Sequence, residues 1–165
     1  MHKPLIHALI IAALSAALST PAFAADTPKP EPEPEKKQGA IADPLNSARA
    51  AIVRQDWTVA QALLQQQVAR QPQNADAHNL YAYSMRKGPQ PAMDLVFRHY
   101  NEALRLNAQH RGAHEYIGEA YLMTGNVGKA KEHLAQLERL CATGCEERAA
   151  LLREISLFER QHAAK

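Results

Sequence analysis

Residues 113–126 read Ala113-His114-Glu115-Tyr116-Ile117-Gly118-Glu119-Ala120-Tyr121-Leu122-Met123-Thr124-Gly125-Asn126. Apolar or small residues return every three or four positions, the period of a helix with one buried face. Thr124-Gly125-Asn126 interrupts that period as a turn. Ala130, Leu134 and Leu137 then resume it at spacings of four and three. The stretch therefore predicts two helices joined by a tight turn.

The same arrangement occurs twice more upstream. Ala48 falls 34 residues before Ala82, and Ala82 falls 36 before Gly118. A small residue at each of these places is expected to let two helices approach closely. In the second segment, Pro72-Gln73-Asn74 leads into a helix carrying Tyr81, Ala82 and Met85. A second helix carries Val96, Tyr100 and Ala103. The intervening Gly88-Pro89-Gln90-Pro91 makes a turn two residues longer than a 34-residue repeat has, which accounts for the spacing of 36. The first segment matches through Ala48, Ala51, Asp56, Trp57, Ala60, Leu64 and Pro72, with Gln67 where the family that these segments resemble has a small residue.

Downstream, Leu151, Ile155 and Phe158 form one more apolar stripe. Glu146 and Glu147 sit in its first turn, where the helix dipole favours anions. A stacked hairpin leaves its last face bare, and residues 145–163 are placed to cover it. Strand-like alternation is absent. The expected fold is all-α: three helix–turn–helix repeats at about 41–74, 75–110 and 111–144, plus a capping helix at 145–163, seven helices in all.

These three segments resemble the tetratricopeptide repeat (TPR), a 34-residue helix–turn–helix unit that stacks into an α-solenoid. Ile117, Gly118 and Tyr121 match its first helix, Gly125 and Asn126 its turn, and Ala130, Leu134 and Leu137 its second helix. His114 departs from the family's frequent tryptophan and Ala142 from its frequent proline. The resemblance implies a concave groove, lined by the first helices, that takes a peptide or protein. By register, Leu45, Arg49 and Ile52 would line it in the first repeat. The second repeat would give Asn79, Tyr83, Arg86 and Lys87, and the third Glu115, Glu119, Leu122 and Met123. The groove is expected to be basic in its middle and acidic towards the third repeat. Arg49 and Asn79 resemble part of the family's carboxylate clamp. Gly112 and Tyr116 stand where its last basic residues would be, so binding of a chaperone tail is not implied. An exposed Tyr83 beside Arg86 has the composition of a binding hot spot.

The amino terminus reads differently. Lys3 precedes an apolar run from Leu5 to Leu18, then Ser19-Thr20-Pro21 and the small-x-small tripeptide Ala22-Phe23-Ala24. This is the order of a cleaved secretory signal, with cleavage after Ala24. The run is shorter than the roughly 20 residues that span a bilayer. Residues 1–24 are thus read as a signal peptide, and the mature protein as periplasmic, without stable membrane insertion. Residues 25–40 hold Pro28, Pro30, Pro32 and Pro34 alternating with Lys29, Glu31 and Glu33. Alternating proline forbids helix, and the lack of large apolar residues predicts a disordered, solvated linker.

Composition excludes several classes. There are 19 Lys plus Arg against 17 Asp plus Glu, a formal net charge of +2, which does not point to nucleic acid. Two cysteines are too few for a four-cysteine zinc site. No serine lies in a Gly-x-Ser-x-Gly turn, and no histidine and acid are set locally to serve one. We expect no catalytic residues, no cofactor and no metal. His78 and His114 occupy equivalent places and are read as packing between helices. His110 is read as lying in an inter-repeat turn, and His99 and His133 on second helices.

Cys141 and Cys145 bracket Ala142-Thr143-Gly144, and in an exported protein they are expected to form a disulfide that fixes the capping helix. Thiol redox chemistry or metal handling by these cysteines with nearby histidines is the alternative, and self-association through the first repeat is another. The leading expectation is a non-enzymatic adaptor that binds a protein or peptide of the cell envelope, in envelope assembly or exported-protein maturation.

Overall fold

The computed structural model describes residue 43 and residues 45–163. The expected signal peptide with its Ala24 cleavage site, and the expected 25–40 linker, lie outside the described residues. The described chain is helical, with no strand: α1 (Asn46–Val53), α2 (Trp57–Arg70), α3 (Ala75–Lys87), α4 (Met93–Leu106), α5 (Arg111–Met123), α6 (Val127–Leu140) and α7 (Glu146–Ala163). Among these residues no helix is long and apolar enough to cross a membrane.

Local chemistry sets most helix starts. Asp56, Asn74 and Asn126 each cap a helix by accepting the backbone N–H three residues on, at 3.2, 3.0 and 3.1 Å. His110 caps α5 in the same way through Nδ1, which accepts from Ala113 N at 3.2 Å. The turn before α6 places Gly125 at φ +78°, and the turn before α2 places Gln55 at φ +59°. Gln55 meets the steric penalty that Gly125 avoids.

Neighbouring helices pack in order along the chain, α3 most extensively on α4 and α5 on α6. Three apolar clusters result. Ala48 and Ala51 of α1 meet Ala60 and Leu64 of α2 and Ala77 of α3. Ala82 and Met85 meet Val96 and Tyr100 of α4 and Ile117 and Ala120 of α5. Leu122 meets Ala130, Leu134 and Leu137 of α6 and Leu151 and Ile155 of α7. Helices α3 and α5 each contribute to two clusters, so the core runs continuously from one hairpin into the next.

The small residue at 118 lets two helices approach closely, and the second of them is α7. A Cβ there would lie 2.6 Å from Leu151 Cδ2. Gly118 therefore admits α7, which packs across α5 and α6. The Cys141 and Cys145 sulfurs are 2.06 Å apart, a disulfide that joins the end of α6 to the start of α7.

Candidate groove and two histidine pairs

Helices α3, α5 and α7 enclose a concavity of about 600 Å³. Tyr83, Arg86 and Lys87 line it from α3. Glu115, Tyr116, Glu119, Leu122 and Met123 line it from α5. Seven of the eleven residues expected to line the groove therefore come together. Arg49 and Asn79 do not line it. Arg49 lies 3.9 Å from Asp43, and Asn79 is buried against Gly112. Of the other first-helix residues, Leu45 is buried and Ile52 packs on the α1–α2 cluster. Leu122 is also buried, held by α6 and α7, so it forms floor rather than an outward contact.

Arg86 corrects the expected charge pattern most. It is only 6% exposed. Its Nη2 lies 2.6 Å from Glu119 Oε2, as an ion pair rather than a straight hydrogen bond. Its Nε donates to the Tyr100 hydroxyl at 3.3 Å. Its guanidinium carbon sits 5.6 Å from the Tyr83 ring and 5.8 Å from the Tyr116 ring, within cation–π range. The Tyr83 and Tyr116 rings lie 4.6 Å apart, and Trp57 approaches Tyr83 edge-on at 6.2 Å. The arginine is consumed inside the protein, because a buried guanidinium without partners is costly. The middle of the groove is therefore aromatic rather than basic, and Tyr83 is half-buried instead of free.

The remaining charge at the surface is mostly acidic. Burial pushes the Glu115 carboxyl up to about 7, and the nearby Glu119 and Glu147 carboxylates push in the same direction. Burial also raises the Tyr116 phenol to about 12, with Glu115 adding to it. Lys87 is exposed at the rim.

Helix α7, expected only to cap the stack, supplies Glu154, Leu157, Phe158 and Gln161 to the concavity. Their spacing of three and four, one step around from the Leu151–Ile155 stripe, was the available signal.

Two histidine pairs lie apart from the groove. His78 Nδ1 is 2.9 Å from His99 Nδ1, and His114 Nδ1 is 2.9 Å from His133 Nδ1. His78 and His114 do pack between helices, as expected, and each is 6% exposed. That each meets a second-helix histidine was not expected. Burial, and then the partner ring, lower the affinity of His133 for a proton to a pKa of about 4. His99 is shifted down by the same two causes, and His114 mainly by burial. Among the described residues, no three His, Cys, Asp or Glu side chains converge to share a metal ion. The disulfide, while intact, leaves neither cysteine a thiolate.

No protein-family model matches this chain, and no curated protein matches it.

Proposed function

We propose that this is an exported, non-enzymatic adaptor of the TPR type, whose concave groove holds a segment of an envelope protein carrying a basic side chain. Three helix–turn–helix repeats and a capping helix account for the regular offsets: α3 begins 36 residues before α5, α4 34 before α6, and α2 36 before α4. The secretory signal read in residues 1–24 supports a periplasmic site of action.

One observation carries the binding reading. Glu115 is half-buried beside Tyr116, and the nearest buried cation, Arg86, is already taken by Glu119. A carboxyl held out of water with no cation of its own gains most from one brought by a ligand. Tyr83 and Tyr116 line the same concavity, and Leu157 and Phe158 of α7 add apolar surface to it.

Fluorescence anisotropy with short peptides tests this. The peptides differ only in a central Lys, Gln or Glu. The Lys peptide should bind more tightly, and Glu115→Gln should weaken it about tenfold, the size of one charge-assisted contact. Equal binding of all three peptides, or none, rejects the reading. N-terminal sequencing of the exported protein tests compartment separately, since the mature chain should begin at Ala25.

A further inference from the structure

The two histidine pairs repeat one another in detail. In the first, His78 of α3 meets His99 of α4, and His78 Nε2 lies 3.1 Å from the Pro72 carbonyl oxygen. In the second, His114 of α5 meets His133 of α6, and His114 Nε2 lies 3.1 Å from the Ala108 carbonyl oxygen. The carbonyl has no proton to offer, so Nε2 of His78 and of His114 must carry one. Each of these rings, when neutral, therefore turns a bare Nδ1 lone pair towards its partner. The ring centroids stand 5.1 and 5.2 Å apart while the nitrogens are 2.9 Å apart, so the rings meet head to head.

We infer that each pair is a two-nitrogen site for a soft monovalent cation of the Cu(I) or Ag(I) class, held in line between the two Nδ1 atoms. On binding, the Nδ1–H bond of His99 or His133 breaks and a metal–nitrogen bond forms at each Nδ1. The same ring takes a proton at Nε2, so no net proton is released and nothing is oxidised.

Three features support this. A carbonyl behind the second nitrogen is how metal-binding histidines are oriented and held in one tautomer. Among the described residues, the pairs have two ligands and no third. That set is poor for zinc, which draws three or four protein ligands into a tetrahedron, whereas opposed lone pairs suit a linear ion. With bonds of about 2.0 Å, the nitrogens must part to about 4 Å, a shift of about 1 Å. His99 and His133 are half-buried rather than enclosed, and they are the side chains free to give way.

The surroundings of the two pairs differ in detail. Tyr81 lies 4.8 Å from the His99 ring and Tyr121 5.7 Å from the His133 ring. Glu102 and Glu132 favour positive charge at His99 and His133; Arg98 and Lys129 oppose it, as His110 and Arg139 do at His114. In the first hairpin, the place 36 residues before His99 is Leu63, so two sites are expected and not three.

The test is titration of the full chain, disulfide intact, with silver nitrate in chloride-free buffer, followed by imidazole nitrogen NMR. Two equivalents should bind, and the Nδ1 resonances of His78, His99, His114 and His133 should move. His99→Phe and His133→Phe should each remove one equivalent and the double variant both. Met123→Leu should remove none. Silver uptake that leaves these Nδ1 resonances in place, or survives in the double variant, overturns the inference. If a variant unfolds, as a thermal melt would show, the nitrogen shifts of the unaltered protein decide alone.

Discussion

Arg86 Nη2 lies 2.6 Å from Glu119 Oε2, and this pair ties α3 to α5 beneath the groove. The two side chains are unequally buried, at 5% and 21% exposed. Removing the acid strands a buried guanidinium, whereas removing the base leaves a carboxylate that water can reach. Glu119→Ala should therefore cost about 3 kcal/mol and Arg86→Met only about 1 kcal/mol. Urea melts of both variants check the order, and equal losses would contradict the asymmetry.

Gly118 and Leu151 define the seat of α7. Gly118→Ala gains helix propensity of about 1 kcal/mol but drives a methyl into a fully buried leucine. A net loss of about 1 kcal/mol is expected. In a Leu151→Ala background, the same substitution should be neutral or stabilising. A double-mutant cycle measures the coupling.

Acid should loosen the hairpins. His99, His114 and His133 hold their protons more weakly folded than unfolded. Their contribution is thus present above the ordinary value of 6.5 and is lost as pH falls from there, through about 4 for His133. The urea midpoint should drop between about pH 7.5 and about pH 4.5, and by less in His133→Phe.

Glu115 acts with the opposite sign. Its carboxyl titrates near 7 in the folded protein, above the ordinary 4.5, so its cost to stability grows as pH rises through that interval. Glu115→Gln should stabilise the protein above pH 7 by about 1 kcal/mol, after allowance for its exposed share. At about pH 4 the two proteins should melt alike.

Reducing the disulfide should cost about 2 kcal/mol, because the ring it closes is short. The loss should appear chiefly in α7, read as faster amide exchange at Leu151 and Ile155 in a Cys141→Ser/Cys145→Ser variant. Uniform loss across all helices would show that the cross-link does not act locally.

Much of this molecule is written in short-range pattern. The seven helices and the turn at Gly125-Asn126 follow from the apolar period, as does the Leu151–Ile155 stripe. Both arise from contacts within four residues along the chain. The Cys141–Cys145 bridge follows from proximity in the sequence taken with the export reading of the amino terminus.

Most of the groove residues were also legible, since one face of a helix is set by spacing. The state of those residues was not. Arg86 turns inward because Tyr100, fourteen residues on, and Glu119, on another helix, stand where its guanidinium can reach them. His78 meets His99 across 21 residues, and Gly118 meets Leu151 across 33. Helix α7 becomes a wall of the groove through the angle at which it crosses α5. Sequence spacing determines which side chains share a face. Which side chain that face meets depends on the rotation and crossing angle of packed helices, and only the tertiary structure sets those.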